Sequence, residues 1–376
     1  MGRNILSDDD YSRVADKAKS KGSATYAAEE RIKEGKGLHD LVDPKGHGVI
    51  RRSISWYEPK GEIFQLLRGV AMLIETRLDT TGSMGNNVEI AMRLLPTTYD
   101  LLLKGKNAVL KRYDLQMITA IFGDCADIFP LGGRSQAEMD IRIAEQMTHM
   151  FPEHGGKGNG AEDPQYGLFG GAYLTSSDIN KYGLKYYDFT ITDEPARDYV
   201  SIEDLTRVFG DSVLKKVREN GFEMDENNLP STKEIVKELS KRAHSFLLFV
   251  NDDPEAKNYW KGIYGKDRVV MLPRTELLPE VQASIIGLTE GTLTLQTLED
   301  FLINDAKLDK SDAQNIKRAV AGIPIGAQTL LPNFSKIPLK GDTFTKKGDL
   351  WPVGHEGTEK HTKPSKVKNE DESMWK

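Results

Sequence analysis

The stretch Asp79-Thr80-Thr81-Gly82-Ser83 sets a carboxylate and two hydroxyls at alternate positions, directly after the apolar run 70–78. Carboxylate and hydroxyl oxygens are hard donors; they suit Mg²⁺ or Mn²⁺ far better than zinc or copper. A run of that length is a largely buried strand, and Gly82 and Gly85 behind it require a turn. Val88, Ala91, Leu95, Tyr99 and Leu102 then recur at helical spacing, so the motif is strand, polar loop, helix. Asp79 is thereby delivered to the carboxyl end of a strand, where ligands of open α/β sheets bind. A second carboxylate, Asp193, ends another predicted strand, Tyr186–Thr192.

The elements that must position these groups alternate between strand and helix from about residue 63 to 292, the pattern of a mostly parallel sheet covered on both faces. Strands are predicted over 70–78, 115–122, 186–192, 245–250 and 268–272, with 128–131 as an antiparallel edge piece. Ser135 and Glu138 have the spacing of a capping box opening a helix to about Met150. Pro164 starts another helix at its favoured first position. Ser201 caps a helix to about Glu219, Ser231 and Glu234 box another, and residues 278–288 form the last helix of the core. The fold class is therefore α/β: a doubly wound, mostly parallel six-stranded sheet with helices on both faces and terminal extensions. In the strand order 3-2-1-4-5-6 the first and fourth strands flank the switch point. Asp79 and Asp193 then face one crevice, with the glycine-rich loop 155–162 above it.

Outside this core, residues 1–62 read as an arm with short helices and 293–335 as a helical extension. Residues 336–376, rich in Lys, Gly, Thr and Pro, read as a flexible tail dispensable for folding, in which Leu350-Trp351 is the segment able to dock. Of 376 residues 38% are hydrophobic and 29% charged, and nothing approaches the 18 apolar residues of a membrane span. With no apolar stretch at its start, the chain is expected to be cytoplasmic. The single cysteine, Cys125, excludes an internal disulfide and a cysteine-rich zinc cage. A net charge of −6 speaks against general nucleic-acid binding, which needs clustered excess Lys and Arg. The seven histidines lack metal-ligand spacing; Asp124 and Asp127 read as a loop pair at the end of the second strand.

Taken together, these motifs resemble the von Willebrand factor type A (integrin I-like) family and its metal-ion-dependent adhesion site. Its Asp-x-Ser/Thr-x-Ser is matched by Asp79, Thr81 and Ser83, and its strand ending in Thr-Asp by Thr192-Asp193. The resemblance implies that the hydroxyls touch Mg²⁺ or Mn²⁺ while the aspartates act largely through water. An Asp or Glu of a protein partner then completes the shell. The family also has a Gly-Gly loop with a metal-ligating Thr; here Gly155-Gly156 is followed by 157–163 without one, and Asn159 or Glu162 takes its place. Stand-alone microbial and phage members work with AAA+ ATPases of the MoxR type or in larger assemblies, and the resemblance extends that expectation to this chain. Two alternatives remain. The stretch also resembles the Asp-Lys-Thr-Gly-Thr of haloacid-dehalogenase-like phosphohydrolases, with Asp79 as nucleophile, although Gly123-Asp124 stands at the wrong strand for their second metal motif. A structural or assembly role is the other.

Overall fold

Nine consecutive buried residues, Ala71–Asp79, form the central strand of the fold. The computed structural model describes residues 28–46, 48–103, 108–155 and 161–344. Its strands in chain order are β1 (Arg51–Ser53), β2 (Tyr57–Lys60), β3 (Ile63–Leu66), β4 (Ala71–Asp79), β5 (Asp114–Phe122), β6 (Leu131–Arg134), β7 (Thr175–Ser177), β8 (Tyr186–Thr192), β9 (Ala243–Phe249), β10 (Val269–Met271) and β11 (Thr343–Phe344). Six of them make one sheet in the order β10-β9-β8-β4-β5-β6. All neighbours are parallel except β5 and β6. Counted along the chain this is the 3-2-1-4-5-6 order expected from the sequence, with the switch point between β4 and β8. The ends of these two strands carry Asp79 and Asp193.

Helices cover both faces. Asn87–Leu103 packs with Leu278–Glu290 on one, and Pro164–Tyr173 packs with Thr232–Arg242 on the other. Because side chains alternate along a strand, Glu75, Arg77 and Asp79 of β4 share a face. Arg77 pairs with Asp188 of β8 at 2.5 Å and with Glu75 at 3.2 Å. Arg134 of β6 meets Glu75 at 3.0 Å, and the Thr175 hydroxyl donates to the other Glu75 oxygen at 2.9 Å. The helix above is cut to fit these guanidinium groups. Arg77 Nε donates to the Gly167 carbonyl at 2.7 Å, and a Cβ on Gly171 would fall on Arg77 Nη2. A buried ion pair stripped of one member costs about 3–5 kcal/mol, so the ladder fixes how β4, β8 and the glycine-bearing helix stack.

Several boundaries differ from the sequence expectations. Ser135 and Glu138 do not box a helix. The Ser135 amide donates to the Thr119 carbonyl at 2.8 Å and Glu138 forms a bridge with Met117, so backbone pairing to β5 claims this segment and the helix begins at Arg142. The helix expected over 201–219 is two, Ile202–Phe209 and Val213–Glu219, split at Gly210 with φ 85°. The edge strand is Leu131–Arg134 rather than 128–131. The Ser231–Glu234 box is present as expected.

The extensions are tied down further than their composition indicates. In the described part of the N-terminal arm, Val42, Val49 and Arg51 are buried, and the Arg51 guanidinium donates to the carbonyls of Asp43, Gly46, Gly48, Arg134 and Ser135. At the other end Ile337 is buried, and β11 pairs with β3. Residues 336–344 are thus part of the body rather than of a tail; the remainder of the predicted tail, Leu350-Trp351 included, lies outside the described residues. Burying Ile337 and half-burying Phe344 contributes roughly 2 kcal/mol. A chain ending at residue 335 should therefore melt about 3 °C below one ending at 344. Equal melting temperatures in a thermal scan would show that this segment adds nothing.

Candidate metal centre

Asp79 is fully buried at the end of β4, and each of its carboxylate oxygens accepts a hydroxyl proton. Thr81 donates to Oδ1 from its hydroxyl at 2.6 Å and from its amide at 2.9 Å, closing a two-residue side-chain turn. Thr192, the last residue of β8, donates to Oδ2 at 2.7 Å. The Ser83 hydroxyl donates to Asp193 Oδ1 at 2.9 Å. The loop is anchored on both sides. Thr80 bonds the Phe122 carbonyl through its amide and its hydroxyl, each at 2.9 Å, and the Gly82 amide donates to the Gly155 carbonyl at 3.0 Å.

One contact in this arrangement is chemically incomplete. The hydroxyl oxygens of Thr81 and Ser83 stand 3.2 Å apart, yet the proton of each is already directed to a carboxylate, Asp79 for Thr81 and Asp193 for Ser83. With both carboxylates ionised, neither hydroxyl has a proton left for the other, and both turn lone pairs to the space between them. Adjacent ligands of an octahedral cation held at 2.0–2.1 Å stand about 3 Å apart, so the spacing matches two neighbouring positions around Mg²⁺. The donor set, all oxygen, is of the same character.

Charge points the same way. Burial pushes the Asp79 carboxyl up to about 7 against the hydrogen bonds of Thr81 and Thr192, and the Asp193 charge adds to the rise. Asp193 is raised as well, by burial, against the pull of Ser83. Glu162, 8% exposed, has an oxygen, Oε2, with no hydrogen-bond partner among the described residues. Its carboxyl is pushed up to about 8, first by burial and then by the charges of Asp79, Asp124, Asp163 and Asp127. Among the described residues no Lys or Arg pairs with Asp79, Asp193 or Glu162. Two unit charges about 8 Å apart repel by roughly 2 kcal/mol at an effective dielectric near 20, so such a cluster holds either protons or a cation. The residues present fit a divalent cation seated at Thr81 and Ser83, with Asp79 and Asp193 orienting those hydroxyls and compensating the charge.

A neighbouring acidic group already holds a cationic side chain. The ligand atoms of Asp124, Cys125 and Asp163 lie within 4.8 Å of one another, but Arg197 bonds Asp124 at 3.0 Å and pairs with Asp163. Burial and the Asp163 charge push the Cys125 thiol up to about 12, which keeps it protonated. Asp127 accepts from the Asp124 amide at 2.9 Å. A Cβ on Gly123 or Gly155 would collide with that carboxylate, so both glycines are demanded by its place.

Of the residues singled out in the sequence, Asp79, Thr81, Ser83 and Asp193 share one hydrogen-bonded cluster, and the Asp79 charge acts on the Glu162 carboxyl. Asn159 lies outside the described residues. Sequence reasoning did not assign a role to Thr192, which holds the second Asp79 oxygen, although its place beside Asp193 at a strand end was a usable signal. Nor did it find Arg197, whose partners Asp124 and Asp163 are remote in sequence.

No family model and no curated protein matches the chain. Solved structures give partial similarity. The pilus adhesin SpaC from Lactobacillus rhamnosus GG aligns with a TM-score of 0.40 at 13% identity, over 64% of this chain and 34% of that one. Proximal thread matrix protein 1 from the mussel byssus gives 0.36 at 11%, over 59% and 48%. The type V pili tip protein Mfa5 from Porphyromonas gingivalis gives 0.24 at 11%, over 40% and 27%. The chain covers under half of the length of each of these proteins.

The raised carboxyls make a prediction for the metal-free protein. Asp79 and Glu162 rise from 3.8 and 4.5 to about 7 and 8 on folding, so the folded state binds more protons than the unfolded chain between pH 4 and 8. The stability they contribute is fully present below pH 4 and is lost as pH rises through 7 to 8. In EDTA the unfolding midpoint should fall as pH rises from 4.5 to 8 and level off above that, and Glu162→Gln should flatten the fall. A midpoint independent of pH over this window in the unaltered chain would contradict the assignment.

Proposed function

We propose that the chain is a metal-dependent protein-interaction module of the von Willebrand factor type A kind. A Mg²⁺ or Mn²⁺ ion at Thr81 and Ser83 binds an Asp or Glu of a protein partner. The observation that carries this reading is the 3.2 Å contact between two hydroxyl oxygens that each also bond a carboxylate, Thr81 to Asp79 and Ser83 to Asp193. When bound, the cation supplies a positive charge and a coordination position open to an external carboxylate. The chain's own residues supply the rest. Asp79 and Asp193 orient the hydroxyls, Thr192 holds the second Asp79 oxygen, and Thr80 fixes the loop to the neighbouring strand. The position of Asp79 at the switch point, between β4 and β8, agrees with the family's motif order. A MoxR-type AAA+ ATPase or a larger assembly is the partner class that the family resemblance favours.

The phosphohydrolase alternative makes Asp79 a nucleophile. That role is less well supported, because attack requires a carboxylate oxygen free to approach phosphorus, whereas both oxygens of Asp79 accept hydroxyl protons inside the fold. The two classes separate in one set of measurements. Calorimetry should show Mn²⁺ binding that Asp79→Ala weakens by more than tenfold, with no Mg²⁺-dependent phosphatase or ATPase turnover. Capture of a partner from the native source should be lost in EDTA and in the variant. Turnover that needs both the metal and Asp79 would place the chain among the enzymes instead.

A further inference from the structure

The carboxylates around the crevice differ in how their oxygens are occupied. Both Asp79 oxygens and Asp193 Oδ1 accept hydroxyl protons. Asp163 is taken by Arg197, the Cys125 amide and Gln165, and Asp124 by Arg197 and the Ala126 amide. Glu162 differs: among the described residues its Oε2 is buried with no partner, on a residue only 8% exposed. Leaving a buried polar atom unsatisfied is costly, and more so when it is charged. Its main chain is not free to relieve this. The Glu162 amide donates to the Pro195 carbonyl at 3.0 Å, and its own carbonyl accepts from the Arg197 amide at 3.3 Å. These bonds tie the residue to the segment that follows Asp193 and leave rotation of the side chain as its freedom.

A buried carboxylate oxygen with nothing bonded to it among the described residues, on a side chain that feels the Asp79 charge and whose main chain is tied to the segment after Asp193, is an available cation ligand. The hydroxyls of Thr81 and Ser83 are neutral, and both oxygens of Asp79 already accept hydroxyl protons. Resting on the reading of the crevice as a divalent-cation seat, we infer that Glu162 is an internal acidic ligand: it bonds the cation at the position a partner's Asp or Glu would take, and the partner binds by displacing it. Only the Glu162 side chain has to swing away. Two consequences follow for recognition. The cation is held more tightly in the absence of a partner, and a lone carboxylate competes poorly with an acid that is already in place, so selection goes to partners with further contacts around the crevice.

The test uses the full chain loaded with Mn²⁺, with acetate as the carboxylate probe. Water-proton relaxation reports the water bound to the Mn²⁺, and calorimetry reports its affinity. In Glu162→Gln, which keeps the shape of the side chain, Mn²⁺ should still bind, about tenfold more weakly. Relaxation enhancement should rise as water replaces the carboxylate. Acetate should bind the loaded variant about tenfold more tightly than the loaded unaltered chain, a charge-assisted competitor having been removed. Glu162→Ala should behave alike. Equal relaxation enhancement and equal acetate affinity in unaltered and variant chains would overturn the inference while leaving the metal seat standing. Complete loss of Mn²⁺ in both variants would also overturn it, making Glu162 part of the seat. Failure of the unaltered chain to bind Mn²⁺ would remove the seat itself.

Discussion

A carboxylate buried at the end of a central strand needs all of its acceptor capacity met, and Asp79 meets it with hydroxyls drawn from two different segments. Thr81, two residues further along its own turn, satisfies one oxygen, and Thr192 at the end of β8 satisfies the other. This pair of bonds does more than relieve burial. It locks the turn after β4 to the adjacent strand and, with Asp79 ionised, directs the Thr81 proton inward, so that its lone pairs are left toward Ser83. The chemistry of the crevice follows from that orientation.

The strand that carries Asp79 is held by a second set of charges on the same face. Glu75 and Arg77 reach Arg134 and Asp188, and the helix Pro164–Tyr173 places glycines where the guanidinium groups need room. Ion pairs of this kind contribute little net stability compared with an apolar core, but they tolerate few alternative arrangements. Their effect here is positional. The same helix begins at Pro164, next to Asp163, whose bond to Arg197 ties the glycine loop's exit to the segment after Asp193. Rigid charge pairing below the crevice and loop-to-loop bonding around it thus hold the oxygens in register.

Much of this was legible in the residues. The apolar run before Asp79, the Tyr186–Thr192 strand and the Ser231 capping box are local signals, and each reappears with nearly the predicted bounds. The 3-2-1-4-5-6 strand order could be anticipated because alternating elements and right-handed crossovers leave few topologies. What failed was decided by distant partners. Ser135 and Glu138 have capping-box spacing, yet β5 competes for their backbone and wins. Residues 336–344 look like tail in composition, but one isoleucine and a two-residue strand fasten them to β3. Arg197 could not be connected to Asp124 and Asp163 by spacing, because only the closing of the sheet brings them together. For Glu162 the sequence offered a place among the ligands without saying what its carboxylate does; the unpartnered oxygen is visible only once the chain is folded.

The central claim is a position for one ion. Crystals of the full chain grown with Mn²⁺ and measured at a wavelength where manganese scatters anomalously would locate it directly. The account predicts a single strong anomalous peak about 2.1 Å from the hydroxyl oxygens of both Thr81 and Ser83. A peak beside Asp124 and Asp163, or none in the crevice at saturating Mn²⁺, would contradict it.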